Sequence, residues 1–70
     1  MDKNVKEKSD YICKIIEELA SADTKDIGKA LGYLTPEVTD YLIKKVGRPE
    51  MDIKIYGARL SSELSKRTKG

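Results

Sequence analysis

Two helix start signals, Asp23-Thr24 and Thr35-Pro36-Glu37, stand close together in this chain with Gly32 between them. No fold satisfies both without a sharp turn between two short helices. Asp and Thr cap a helix by offering a side-chain oxygen to its first unpaired N–H groups. Pro suits the first helical position, and Glu37 favours the positive end of the helix dipole. The spacing therefore predicts one helix from Asp23 or Thr24 through Leu31, with Gly32 as a left-handed cap. A following helix runs from Thr35 to about Val46, where Gly47 stops it. Upstream, Val5, Ile12, Ile16 and Leu19 form an apolar stripe at helical spacing, widened by Ile15 and Ala20, which predicts an amphipathic helix over residues 5–20. Its other face carries Lys6, Asp10, Lys14, Glu17 and Glu18 and reads as solvated surface.

At 70 residues the chain has room for one domain over residues 1–70, and a domain of this size buries only roughly 60% of its unfolded surface. The core must be thin. Dimerisation to a homodimer is one way to gain buried area, though nothing in the sequence demands it. There is no signal-peptide pattern and no apolar run of the about 20 residues that a membrane span takes, so a cytoplasmic protein with no membrane contact is expected. Histidine is absent and Cys13 is the only cysteine, which leaves no common zinc or haem ligand set. No metal and no cofactor are expected, and Cys13 reads as a buried or half-buried thiol.

The net charge of +2 is unevenly spread. Residues 1–10 balance, residues 11–53 carry an acidic excess, and residues 54–70 hold Lys54, Arg59, Lys66, Arg67 and Lys69 against Glu63. That basic end suits either a polyanion contact or a solubility tail.

The stretch Thr24-Lys25-Asp26-Ile27-Gly28-Lys29-Ala30-Leu31-Gly32, followed by Thr35-Pro36-Glu37-Val38-Thr39-Asp40-Tyr41-Leu42, resembles the helix-turn-helix of winged-helix transcription regulators. In that family a short helix ends in Ala-Leu-Gly, and apolar residues six and ten positions beyond the glycine seat the recognition helix; here these are Val38 and Leu42. The resemblance covers about residues 12–46. It implies a shared core of Ile12, Ile16, Leu19, Ile27, Leu31, Val38 and Leu42, with Gly28 facing the crossing helix where the family usually has Ala. The expected fold is mainly α: a three-helix helix-turn-helix core, winged-helix-like, with a reduced β-wing and a C-terminal helix.

Two readings of the segment after Gly47 stay open. In one, Met51, Ile53 and Ile55 alternate with Asp52, Lys54 and Tyr56 as a short strand in the wing's place, and Gly57 turns into a last helix bearing Leu60 and Leu64. In the other, Pro49 and Glu50 open one long helix whose face is Ile53, Tyr56, Leu60 and Leu64. The β-branched Ile53 and Ile55 favour the strand; the lack of a second strand and of a hairpin turn counts against it.

For function, the resemblance implies a small DNA-binding transcriptional regulator with residues 35–46 as recognition helix. Thr35, Pro36, Thr39 and Ile43 fall at the places that meet bases, and Lys44, Lys45, Arg48, Lys54 and Arg59 at those that hold phosphates. Duplex DNA is the expected partner. Glu37 and Asp40 depart from the pattern, since carboxylates near phosphates mostly repel, and the helix lacks the Arg, Gln or Asn that reads purines bidentately. These departures support a competing reading, a protein-interaction module on the same scaffold. Enzymatic activity is not expected, because the carboxylates are spread along helix faces and the glycines form no phosphate loop. Tyr11, Tyr33, Tyr41 and Tyr56 lie in no basic aromatic stretch and read as core edges.

Overall fold

The computed structural model describes residues 3–47 and 49–69. Four helices follow one another: α1 (Lys3–Glu17), α2 (Thr24–Gly32), α3 (Pro36–Lys44) and α4 (Glu50–Lys69). The chain is mainly helical, and no strand occurs among the described residues. Among them, too, no helix is long and apolar enough to cross a membrane.

Both start signals act as the sequence implies. The Asp23 side chain accepts from Lys25 N at 3.2 Å, and Thr35 Oγ1 accepts from Val38 N at 3.3 Å with Pro36 opening α3. The stops differ. Gly32 is still helical, and Gly47, at φ +78°, is the only described residue with positive φ. The left-handed cap expected at Gly32 is replaced by a tightened last turn, in which Tyr33 N reaches Lys29 O and Ala30 O and Leu34 N reaches Leu31 O at 3.2 Å. Thr35 N then bonds Tyr33 O at 2.7 Å. The bend between α2 and α3 thus lies at residues 33–35, directly after the glycine. α3 ends at Lys44, short of Val46, and α1 ends at Glu17, short of Ala20.

Among the described residues the segment expected to form a reduced β-wing is helical. Met51, Ile53 and Ile55 lie in the first turns of α4, which begins as Asp52 N and Ile53 N bond to Pro49 O at 3.0 and 3.2 Å. The physical reason is pairing: a lone strand leaves its backbone groups without a ladder, whereas a helix satisfies them internally and buries Ile53 and Leu60 together. Gly57 sits inside this helix where Leu34 passes, with Leu34 Cδ1 3.4 Å from the place of a Cβ.

α1 packs against α2 and α3, and α4 packs against the same two. α2 and α3 are not a closely packed pair, so they diverge from their turn and do not lie side by side as a plain hairpin. Between them the core gathers Val5, Ile12, Ile15, Ile27, Ala30, Val38, Leu42, Ile53 and Leu60. Ile16, Leu19 and Leu31, expected at its centre, are half-buried at its margin. The helix that Gly28 faces is α4, with Leu64 Cδ2 4.0 Å from the place of a Cβ.

Arg67 locks the far end of α4. Its guanidinium donates to the carbonyls of Ala22 and Leu19, to that of Ala20 at 3.1 Å, and through Nε to Glu63 at 3.0 Å. A basic residue of the C-terminal tail is therefore a structural clamp on the α1–α2 connection.

Two stability outcomes follow from this packing. Arg67→Ala should destabilise by about 2 kcal/mol, since bonds from a charged donor each contribute roughly 1.5–3 kcal/mol. Arg67→Lys should recover only part of that, because an ammonium lacks the planar fork; equal melting temperatures for both variants and the parent would refute the clamp. Ser9 is fully buried, and among the described residues its hydroxyl has no hydrogen-bond partner. Ser9→Ala should raise stability by about 1 kcal/mol, or roughly 4–8 °C in melting temperature for a domain of this size. A lower melting temperature would mean that the hydroxyl is satisfied.

Candidate nucleic-acid interface

α3 presents its outward side between two buried anchors, Val38 and Leu42. The remaining positions divide by the helical period. Pro36, Glu37, Asp40, Lys44 and Lys45 are exposed, and Thr39 and Ile43 are half-buried. Ile43 packs against the core cluster, and the Thr35 hydroxyl is committed to capping. Of the four residues expected at bases, Pro36 alone is fully presented.

The expected phosphate contacts do not form one stripe. Lys44 pairs with Asp40 at 3.4 Å on an exposed surface, and Lys45 closes the helix, its N–H bonding Tyr41 O at 2.7 Å. Together with Val5, Glu37 and Tyr41 they line a groove between α3 and the start of α1, in which two lysines balance two carboxylates. Lys54 and Arg59 are exposed on α4, but five residues of helix turn them roughly 140° apart. Arg48 lies outside the described residues.

A different set of cations is brought together at the α1–α2 edge. Lys25 and Lys29, one helical turn apart, both stand on the exposed side of α2. Lys29 Nζ lies 5.4 Å from the Tyr11 ring centre and 6.0 Å from that of Tyr33. Lys8 Nζ, from α1, lies 5.1 Å from the same Tyr33 ring. The two rings meet edge to face at 5.9 Å. Cations held over aromatic faces gain about 0.5–1 kcal/mol at exposed sites, so both ammonium groups are positioned next to the α2–α3 turn.

The acid in this patch is engaged. Tyr11 Oη donates to Asp26 Oδ1 at 3.1 Å, and among the described residues none of Lys8, Lys25 and Lys29 has an ion-pair partner. The sequence reading of Tyr11 and Tyr33 as lying outside any basic aromatic cluster is thus corrected. The local signals were Lys8 three residues before Tyr11 and Lys29 four before Tyr33, both same-face spacings on a helix. What the sequence withheld was the crossing that joins the two pairs.

No protein-family model, curated protein or solved structure matches this chain. Its functional reading rests on its own residues.

Burial, and then the hydrogen bond to Asp26, the negative charge of that carboxylate and the neighbouring Tyr33, raise the Tyr11 pKa above the usual tyrosine value of 10.0. The neutral phenol is favoured in the folded state, so its contribution to stability is complete below pH ~10 and is lost as pH rises through the raised pKa. A spectrophotometric titration should show a tyrosine ionising above the usual value of 10.0, and Tyr11→Phe should remove that late step. A late step surviving in Tyr11→Phe would show that another tyrosine carries it.

Proposed function

We propose that the chain is a helix-turn-helix DNA-binding module, a small transcriptional regulator, that holds duplex DNA mainly through phosphates. In such modules the first helix of the motif crosses the sugar–phosphate backbone while the second enters the major groove. The observation that carries this reading is the set Lys8, Lys25 and Lys29, with Lys25 and Lys29 along the exposed side of α2 and Lys8 and Lys29 held at Tyr33, where α2 turns into α3. That is the place where a helix lying over the backbone needs positive charge. The divergence of α2 from α3 supports the same motif. α4 occupies the stretch of chain that the winged-helix resemblance assigned to a wing, so the proposed module is wingless.

Base recognition is limited in this arrangement. Pro36 offers an apolar contact of the kind thymine methyl groups take, and Glu37 and Asp40 offer acceptors for cytosine N4. Neither is a bidentate purine contact. Binding is accordingly weak in sequence preference and steep in its dependence on salt. A second reading, a protein-interaction module, is favoured by the balanced charge of the groove along α3.

Fluorescence anisotropy on a random duplex separates the two. Binding should appear at low salt, and joint reversal of Lys25 and Lys29 to Glu should weaken it at least tenfold and flatten the salt slope by about 2, as expected for two lost phosphate contacts. Reversal of Lys44 and Lys45 should do less, because Asp40 already neutralises Lys44. Absence of binding at the lowest salt would favour the protein-partner reading, and an unchanged affinity in the Lys25, Lys29 variant would remove α2 from the contact.

A further inference from the structure

α4 buries one side and leaves the other without a partner. Ile53 and Leu60 are buried, and Tyr56, Leu64 and Arg67 half-buried, along one side. On the opposite side stand Met51, Ile55, Ala58, Ser62 and Ser65, all exposed. Their spacing alternates four, three, four, three, which is the seam of a coiled coil. Met51 and Ile55 are 71% and 47% exposed, against 40% for the remaining large exposed apolar side chain, Val46. Beyond them the seam becomes a shallow hollow lined by Ala58, Ser61, Ser62, Ser65 and Lys66. One half of the helix carries the projections and the other half the depression.

We propose that this side of α4 pairs with α4 of a second copy, antiparallel, in a two-fold dimer. A two-fold contact requires a surface that complements itself. An axis near Ala58 and Arg59 sets Ile55 of each copy against Ser62 of the other, and Met51 against Ser65. The small residues there admit close approach of the two backbones. The charges agree with this register: Glu50 and Asp52 lie at the start of α4, Lys66 near its end, and antiparallel pairing brings acid to base at both ends. It also opposes the two helix dipoles. Arg59 faces its own copy across the axis and works against the pair. A single helix seam falls below the ~1,200 Å² of standard interfaces, which places the dimer in the weak class.

The inference is independent of DNA binding and is read by mass. Sedimentation equilibrium of the full chain, from low micromolar to millimolar concentration, should show a monomer–dimer equilibrium. Ile55→Glu should abolish it while leaving the melting temperature within a few degrees, because Ile55 is exposed in the monomer. Asp52→Lys and Lys66→Glu should each weaken the dimer several-fold, and their combination should restore it; Arg59→Gln should tighten it. A monomer at every concentration would overturn the proposal, a dimer indifferent to Ile55→Glu would remove α4 from the interface, and failure of the double charge exchange to restore pairing would overturn the antiparallel register.

Discussion

The packing of α4 across α2 and α3 holds the molecule together. α2 and α3 turn away from one another after Tyr33 and share little contact of their own, so each needs a surface to bury its apolar side. α1 supplies one through Val5, Ile12 and Ile15, and α4 supplies the other through Ile53 and Leu60. Arg67 then fixes the end of α4 to three carbonyls left open where α1 gives way to α2. In a core this thin, a guanidinium that satisfies several backbone acceptors at once stands in for apolar area the chain does not have.

The parts of the fold that were legible in the sequence are those set by local chemistry. Asp23, Thr35 and Pro36 start helices by interactions within four residues of chain, and Ile27, Val38 and Leu42 fill core places that the helix-turn-helix resemblance implied. The parts that were not legible depend on neighbours distant in sequence. The residues Met51, Ile53 and Ile55 fit a strand by alternation and a helix by the longer spacing from Ile53 to Leu60; only the lack of a pairing strand, against the availability of α2 and α3 as packing surfaces, decides for the helix. Gly32 looks like a left-handed cap, yet the chain leaves α2 through a tightened turn that sets Tyr33 against Tyr11. Arg67 looks like tail charge until the α1–α2 connection is placed beside it.

The candidate site shows the same division. The helix proposed to enter a groove, α3, is chemically divided against itself, with Asp40 pairing with Lys44 and the Thr35 hydroxyl engaged in capping. Lysines that form no ion pair among the described residues instead collect at the α1–α2 edge, where the one neighbouring carboxylate, Asp26, accepts from Tyr11. No single window of sequence contains them, because Lys8 and Tyr11 come from one helix and Lys29 and Tyr33 from the end of another. The aromatic pair does structural work by bridging the helices, and in doing so it organises the lysines.

The unpartnered side of α4 follows from the way the core is closed. A helix of 20 residues, about 30 Å long, lies against partners of nine residues each, and it can bury only the side that meets them. For a monomer the least demanding outer side would be charged throughout. Here it is Met, Ile, Ala, Ser and Ser at coiled-coil spacing, with charges displaced to its flanks and opposite in sign at its two ends. Exposed Met and Ile add nothing to the stability of a lone helix that Lys or Glu would not supply, and they weaken solubility. Their placement one turn apart, with small residues where a symmetry mate's Met and Ile would fall, is accounted for by a second helix and is left without a physical reason in a single copy.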